Sequence, residues 1–102
     1  MSTAAATLDP VSGKASNYRL TGSLNFNTVP KLLQQGYDWL GENARVQIDL
    51  SAVTHAGSAG IGLLLEWLRQ AQLRKTTIRF SNIPPALLEI ARISDVADWL
   101  TD

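Results

Sequence analysis

A strand pattern that leads through small residues into a helix limits the folds open to this chain. Apolar and polar residues alternate strictly over 45–50, which is typical of a half-buried β-strand. A loop is predicted over 51–57, and apolar residues then recur at helical spacing from about Ser58 to Leu73. A strand and a helix in direct succession favour an α/β domain.

The rest of the chain continues this alternation of strands and helices. Further strands are predicted at 6–8, at 17–21 with Gly22 as the stop, and at 76–81. Further helices are predicted from a cap at 27 or 28 to a stop at Gly41, and from after the Ile-Pro-Pro segment at 83–85 through Ile93. Residues 94–102 are predicted to form a last short strand or helical turn. Gly36 lies inside a predicted helix at a cost of about 1 kcal/mol relative to Ala, so we expect a neighbour to pack closely there.

Composition excludes most catalytic chemistry. The 102 residues, enough for one domain, include no Cys and a single His, so thiolate chemistry and sites built on several His ligands are ruled out. Nine Lys+Arg balance nine Asp+Glu, which argues against binding to nucleic acid. The sequence predicts neither an enzyme nor a metal or cofactor.

No signal peptide is visible, and the most apolar run, 61–65, is too short to span a bilayer, so the expected location is the cytoplasm.

Small residues surround Ser58 at the predicted start of the second helix. Gly57, Ala59, Gly60 and Gly62 leave the backbone there uncluttered. Free N–H groups and the helix dipole favour an anion at this place, or a phosphate on Ser58. The alternative is that Ser58 is an ordinary N-cap and that the glycines permit tight packing of the helix on the strand.

Three stretches resemble the STAS domain family, the fold of bacterial anti-sigma-factor antagonists and of the C-terminal domains of sulfate transporters. They are LTGSL at 20–24, the DLSAVT…GSAGIG segment over 49–62, and the IPPALLEIARI helix over 83–93. The resemblance implies a single α/β domain with a mixed β-sheet and helices packed mainly on one face. It places the STAS domain at 16–102, with 1–15 as a weakly ordered segment or an edge strand.

Departures from the family pattern separate two branches of the family. Gly57 stands where phosphorylatable antagonists carry Asp, Ala59 replaces a second serine, and Asn25 stands where the family usually has Asp. The small STAS subunits of phospholipid ABC transporters fit these residues better. That resemblance implies a non-catalytic partner of the ATPase subunit, held at the inner membrane through that partner without inserting into the bilayer. The alternative is an anti-sigma-factor antagonist whose partner is a serine kinase or an anti-sigma factor and whose switch is phosphorylation of Ser58.

The partner-binding surface is predicted on the turn that contains Ser58 and on one flank of the following helix. Its predicted members are His55, Gly57, Ser58, Ala59, Gly60, Leu63 and Trp67. Leu63 and Trp67 are helical neighbours four residues apart that widen the apolar arc, and the alternative is that Trp67 covers the end of the core. A basic stretch over 69–79 either offsets a helix dipole or steers an acidic partner.

Overall fold

Four strands and three helices alternate along the chain. The computed structural model describes residues 6–11, 16–39 and 45–93, without the side chains of 37–39. The elements are β1 (Ala6–Pro10), β2 (Asn17–Leu24), α1 (Val29–Trp39), β3 (Arg45–Ala56), α2 (Ser58–Leu73), β4 (Thr77–Ser81) and α3 (Pro85–Ile93). The predicted order of elements is confirmed as far as residue 93, and the predictions for Gly41 and for 94–102 lie outside the described residues.

The sheet is mixed and its strands follow chain order, β1-β2-β3-β4. β1 and β2 are antiparallel, whereas β2–β3 and β3–β4 are parallel pairs. Neighbouring parallel strands require a crossover, and α1 and α2 provide the two crossovers. The parallel strands therefore all end at one edge of the sheet, here called the carboxyl end, and all begin at the opposite edge, the amino end.

The core lies between one face of the sheet and a layer of helices. Alternate strand residues are buried on this face: Leu8, Leu20, Val46, Ile48, Leu50 and Ile78. They are joined in one cluster by buried helical residues: Leu32, Leu63, Leu64, Trp67, Leu87 and Ala91. The intervening strand residues, such as Arg19, Gln47 and Arg79, are exposed. The predicted α/β architecture, with helices on one face, is confirmed for the described residues.

Two strands extend beyond their predicted ends. Gly22 does not stop β2, which continues to Leu24 with Gly22 at a φ of 105°, a conformation that glycine adopts without strain. The loop predicted over 51–57 is wrong, because β3 continues to Ala56. Its second half stays paired with β2, and this pairing supplies the backbone hydrogen bonds that a loop would lack.

Candidate docking groove

An open groove lies at the carboxyl end of the sheet and has a volume of about 450 Å³. Its walls come from the end of β2 and the following turn (23–26), from the second half of β3 with the start of α2 (53–59), and from Pro84 and Ala86. Ser58 and its neighbours Gly57 and Ala59 belong to this wall. Three chain segments that are distant in sequence thus meet around the predicted residues.

Irregular pairing of β3 shapes one wall of the groove. The register with β2 shifts twice, once before Ala52 and again before His55, and each shift inserts one extra residue into β3. An extra residue breaks the alternation of faces. As a result the consecutive residues Thr54 and His55 are both exposed. His55 was predicted in a loop, whereas the structure places it in the strand opposite Ser23.

The start of α2 exposes Ser58 without using it as a cap. Gly57 is the N-cap, in an extended conformation, and no side chain of the described residues caps the helix. The carbonyl of Gly57 accepts hydrogen bonds from the backbone N–H groups of Gly60 (2.9 Å) and Ile61 (3.3 Å). The prediction that Ser58 begins the helix is confirmed, and its interpretation as the N-cap is wrong. An exposed hydroxyl in the first turn is available to a partner.

Gly60 lies behind the groove and does not contribute an exposed surface. It is buried, and a Cβ atom built on it would lie 3.2 Å from Leu24 Cδ1 and 3.4 Å from the Ala56 Cβ. Glycine at this position therefore allows α2 to pack closely on the ends of β2 and β3. The predicted role of Gly60 as a surface residue is wrong, and the tight-packing alternative holds for it.

Leu63 and Trp67 belong to the core, which corrects their prediction as a docking flank. Both side chains have an exposed fraction of 0%. α2 contacts β3 and β4 beneath it and also α1 and α3 on its two sides, so its buried arc is wider than one sheet face requires. The Trp67 ring lies against Gly36, which confirms the prediction that a neighbour packs closely on this glycine. A Cβ atom built on Gly36 would be 2.8 Å from Trp67 Cδ1.

Phe26 is a prominent groove residue that the sequence interpretation missed. Its side chain is 81% exposed at the tip of the turn after β2. The turn is fixed by Asn25 Oδ1, which accepts hydrogen bonds from the N–H groups of Asn27 (2.8 Å) and Thr28 (3.1 Å). The Thr28 hydroxyl donates in turn to the Ser23 carbonyl (2.8 Å). The sequence pattern that indicates this residue is an aromatic between two asparagines. Asparagine favours turns, and an aromatic exposed on a turn is typical of a surface that binds a partner.

Asp49 fixes the strands that carry the groove. Its carboxylate accepts hydrogen bonds from Asn82 Nδ2 (2.9 Å), the Ser51 N–H (2.9 Å), the Ser51 hydroxyl (3.0 Å) and Arg19 Nε (3.2 Å). The bond from Asn82 contributes most, and together with Ser51 and Arg19 it lowers the pKa of Asp49 to about 2 against the opposing effect of burial. The carboxylate thus joins β2, β3 and the end of β4 where β3 becomes irregular.

The described part of the groove is apolar and hydroxyl-bearing, with no carboxylate or arginine in its walls. Within 6–11, 16–39 and 45–93, no cluster of His, Cys, Asp and Glu is suited to a metal ion. None of the helices in those ranges is long and apolar enough to cross a membrane. An exposed aromatic beside hydroxyl groups is typical of a surface that binds another protein.

Comparison with known proteins identifies the family to which the chain belongs. The family model described as "Mlab, STAS domain" matches residues 10–102. The chain is 30% identical over 87 residues to the intermembrane phospholipid transport system binding protein MlaB of Haemophilus influenzae, a match covering 81% of this chain and 83% of that protein. The chain therefore belongs to the STAS domain family.

Solved structures show the same fold. The anti-sigma factor antagonist SpoIIAA in its unphosphorylated form superposes with a TM-score of 0.72 at 18% identity, covering 95% of this chain and 86% of SpoIIAA. An anti-sigma factor antagonist from Mycobacterium paratuberculosis gives a TM-score of 0.71 at 19% identity, covering 96% of this chain and 83% of that chain. The mixed sheet and its helical layer are thus shared with both antagonists.

Proposed function

We propose that the chain is a non-catalytic accessory subunit of a bacterial phospholipid-transporting ABC complex, where it binds the ATPase subunit and stabilises or activates it. The observation that carries this proposal is the 30% identity to MlaB of Haemophilus influenzae, whose name assigns it to an intermembrane phospholipid transport system. The proposed location is the cytoplasmic side of the inner membrane, where the partner holds the subunit.

The groove is the proposed docking site for the ATPase subunit. Phe26 offers a large exposed apolar side chain on a turn whose backbone is already fixed by hydrogen bonds, so little backbone entropy is lost on binding. Ser58 and Ala59 leave room beside it for a side chain of the partner. Because the described walls hold no carboxylate or arginine, we expect the partner to contribute an apolar segment with a few hydrogen-bonding groups.

The test is co-purification with the ATPase subunit and the permease, followed by affinity measurements on groove variants. Phe26→Ala is expected to weaken binding of the ATPase subunit about 30-fold, the effect of losing an aromatic anchor. Ser58→Arg is expected to weaken it at least about tenfold, because a long charged side chain then fills the groove. Thermal unfolding of both variants should match that of the wild type.

Two controls separate the groove from general effects of substitution. Ser58→Ala keeps a small side chain and should bind the ATPase subunit almost as tightly as the wild type. Gln72→Arg introduces the same charge at an exposed position of the last turn of α2, away from the groove, and should also bind normally. Wild-type affinity in both Phe26→Ala and Ser58→Arg would place the docking site elsewhere.

A second candidate function is that of an anti-sigma-factor antagonist regulated by a serine kinase at Ser58. The exposed hydroxyl in the first turn of α2 favours it, since a phosphate there would meet the positive end of the helix dipole. Gly57 weighs against it, because the acidic neighbour of the acceptor is missing. Mass spectrometry of the protein from its native cell is the test: phosphate on Ser58, with recovery of a kinase in place of an ATPase, would contradict the transporter proposal.

A further inference from the structure

A second cleft lies at the amino end of the sheet, opposite the docking groove, and has a volume of about 710 Å³. We call it the amino-end cleft. The starts of β2, β3 and β4 line it, with the polar residues Ser16, Asn17, Arg45, Gln47, Thr77 and Arg79. No acidic residue is among its described lining residues. It differs from the docking groove in being polar and cationic.

Arg45 and Arg79 lie on neighbouring strands and face the same side of the sheet. In the parallel register Arg45 pairs with Thr77 and Gln47 pairs with Arg79, so the two arginines are diagonal neighbours. Arginine side chains at diagonal positions are long enough to reach a common ligand. Both are exposed, and neither forms an ion pair with any residue that the structure describes.

The backbone around the cleft is held in place before any ligand binds. Ser16 has a φ of 67°, in the left-handed region that non-glycine residues rarely occupy. Its carbonyl accepts a hydrogen bond of 2.9 Å from the N–H of Gln47, which ties the start of β2 to β3. A strained residue held in this way is more frequent at binding sites than elsewhere.

We propose that the amino-end cleft binds a phosphate group. Guanidinium groups donate paired hydrogen bonds that match phosphate oxygens, and the hydroxyls of Ser16 and Thr77 add neutral donors. This number of donors lining one cleft suits a phosphate with three acceptor oxygens better than a carboxylate with two. Nucleic acid is a poor source of the phosphate, because the chain has no net charge. The inference does not depend on the proposed function.

The phosphate can come from a phospholipid headgroup or from a free phosphate, and one surface feature lets these sources be separated. Leu73 is 65% exposed at the end of α2, four residues before Thr77, and the exposed Lys75 lies between them. An apolar side chain beside cations suits the boundary between headgroups and acyl chains. We expect Leu73 to contribute nothing to binding of inorganic phosphate, so its substitution should lower only the affinity for lipid vesicles.

Two measurements on the full chain test the proposal. The first follows backbone amide signals by NMR during titration with inorganic phosphate, at an ionic strength held constant with chloride. The second measures flotation with vesicles of phosphatidylglycerol and phosphatidylcholine, against vesicles of phosphatidylcholine alone. We expect amide shifts at the amino-end cleft in the first experiment. In the second, Arg45→Gln with Arg79→Gln should reduce vesicle affinity about 25-fold, at about fivefold for each cation.

Lys31→Gln is the matched control, since Lys31 is an exposed cation in the first turn of α1, near the other end of the sheet. It should leave both measurements unchanged. If Leu73→Ser weakens flotation with vesicles and leaves the NMR titration unchanged, the bound phosphate is that of a lipid headgroup. If phosphate shifts the amide signals and the protein does not float with vesicles, the ligand is free phosphate. The proposal is overturned if neither probe binds, if the double arginine variant binds both like the wild type, or if a polyglutamate peptide shifts the cleft amides more strongly than phosphate at equal charge concentration.

Discussion

The first turn of α2 and its later turns have opposite roles although both are rich in apolar and small residues. Ser58 and Ala59 line the candidate docking groove, whereas Leu63 and Trp67 are completely buried. The difference follows from side-chain size. Small residues let the helix start at the surface close to β2 and β3, while the large ones fill the space that α1, α3 and the sheet enclose.

The strand before α2 is divided in the same way. Over 45–50, alternate residues of β3 are buried in the regular pattern of a sheet that packs on one side. Over 51–56 the two register shifts disturb this alternation and expose consecutive residues toward the groove. The regular half of β3 therefore contributes to the core, and the irregular half contributes to the groove.

Trp67→Ala tests the buried half of this comparison and has the largest expected effect. Removing a fully buried indole should lower the free energy of unfolding by about 3–5 kcal/mol, measured by urea denaturation. A docking-flank position for Trp67, as predicted from the sequence, would instead leave the fold intact and weaken only partner binding, and the burial of Trp67 makes that prediction wrong. Ser58→Ala on the same helix should change the free energy of unfolding by no more than about 0.5 kcal/mol. Equal stabilities would mean that α2 is not divided as described.

Gly36 and Gly62, two of the helical glycines, make a sharper pair, because substitution by Ala should change stability in opposite directions at the two positions. At Gly36 a Cβ atom would lie 2.8 and 2.9 Å from atoms of the buried Trp67 ring. Gly36→Ala should therefore lower the free energy of unfolding by about 2 kcal/mol, after the gain from the higher helix propensity of Ala is included. At Gly62 a Cβ atom would have no atom of another described residue within 4 Å, so Gly62→Ala should stabilise the fold by about 0.5–1 kcal/mol. Stabilisation by Gly36→Ala would contradict the close packing of α1 on α2.

Regular periodicity explains how much of the fold the sequence predicts. The bounds of α2 and the buried alternation of 46, 48 and 50 are confirmed, because each depends on local spacing repeated over several residues. The extension of β3 to Ala56 was not predictable in this way. Its residues are small or polar, and they are held in the strand by pairing with β2, which is about 30 residues away in sequence.

The candidate site was predicted in part for the same reason. The small residues around Ser58 marked the groove, since their lack of bulk is visible in one segment. Phe26 was missed because its place beside Ser58 results from the parallel pairing of β2 with β3, a contact between distant segments. Trp67 was misassigned because helical spacing shows which residues share a face, whereas the number of elements that cover the face depends on the tertiary fold.

Asp49 lies at the boundary between the two halves of β3, and its substitution is expected to cost less stability than Trp67→Ala or Gly36→Ala. Asp49→Asn keeps the shape of the side chain and removes its charge, so the bonds from Asn82, Ser51 and Arg19 weaken together. The free energy of unfolding at pH 7 should fall by about 1–2 kcal/mol, consistent with the lowered pKa.

The pH dependence of unfolding identifies the carboxylate as the cause. Because the pKa of Asp49 is lower in the folded state, at about 2, than its usual value of 3.8, this stabilisation is present above about pH 4 and is lost as the pH falls toward 2. The difference in stability between wild type and Asp49→Asn should therefore shrink between about pH 5 and pH 2. Glu89→Gln removes a carboxylate whose ion pair within the described residues is with an exposed arginine on α3, so its stability should differ little from that of the wild type at any pH. A difference for Asp49→Asn that stays constant down to pH 2 would assign its effect to side-chain packing, and the carboxylate would then not be what holds the regular and irregular halves of β3 in register.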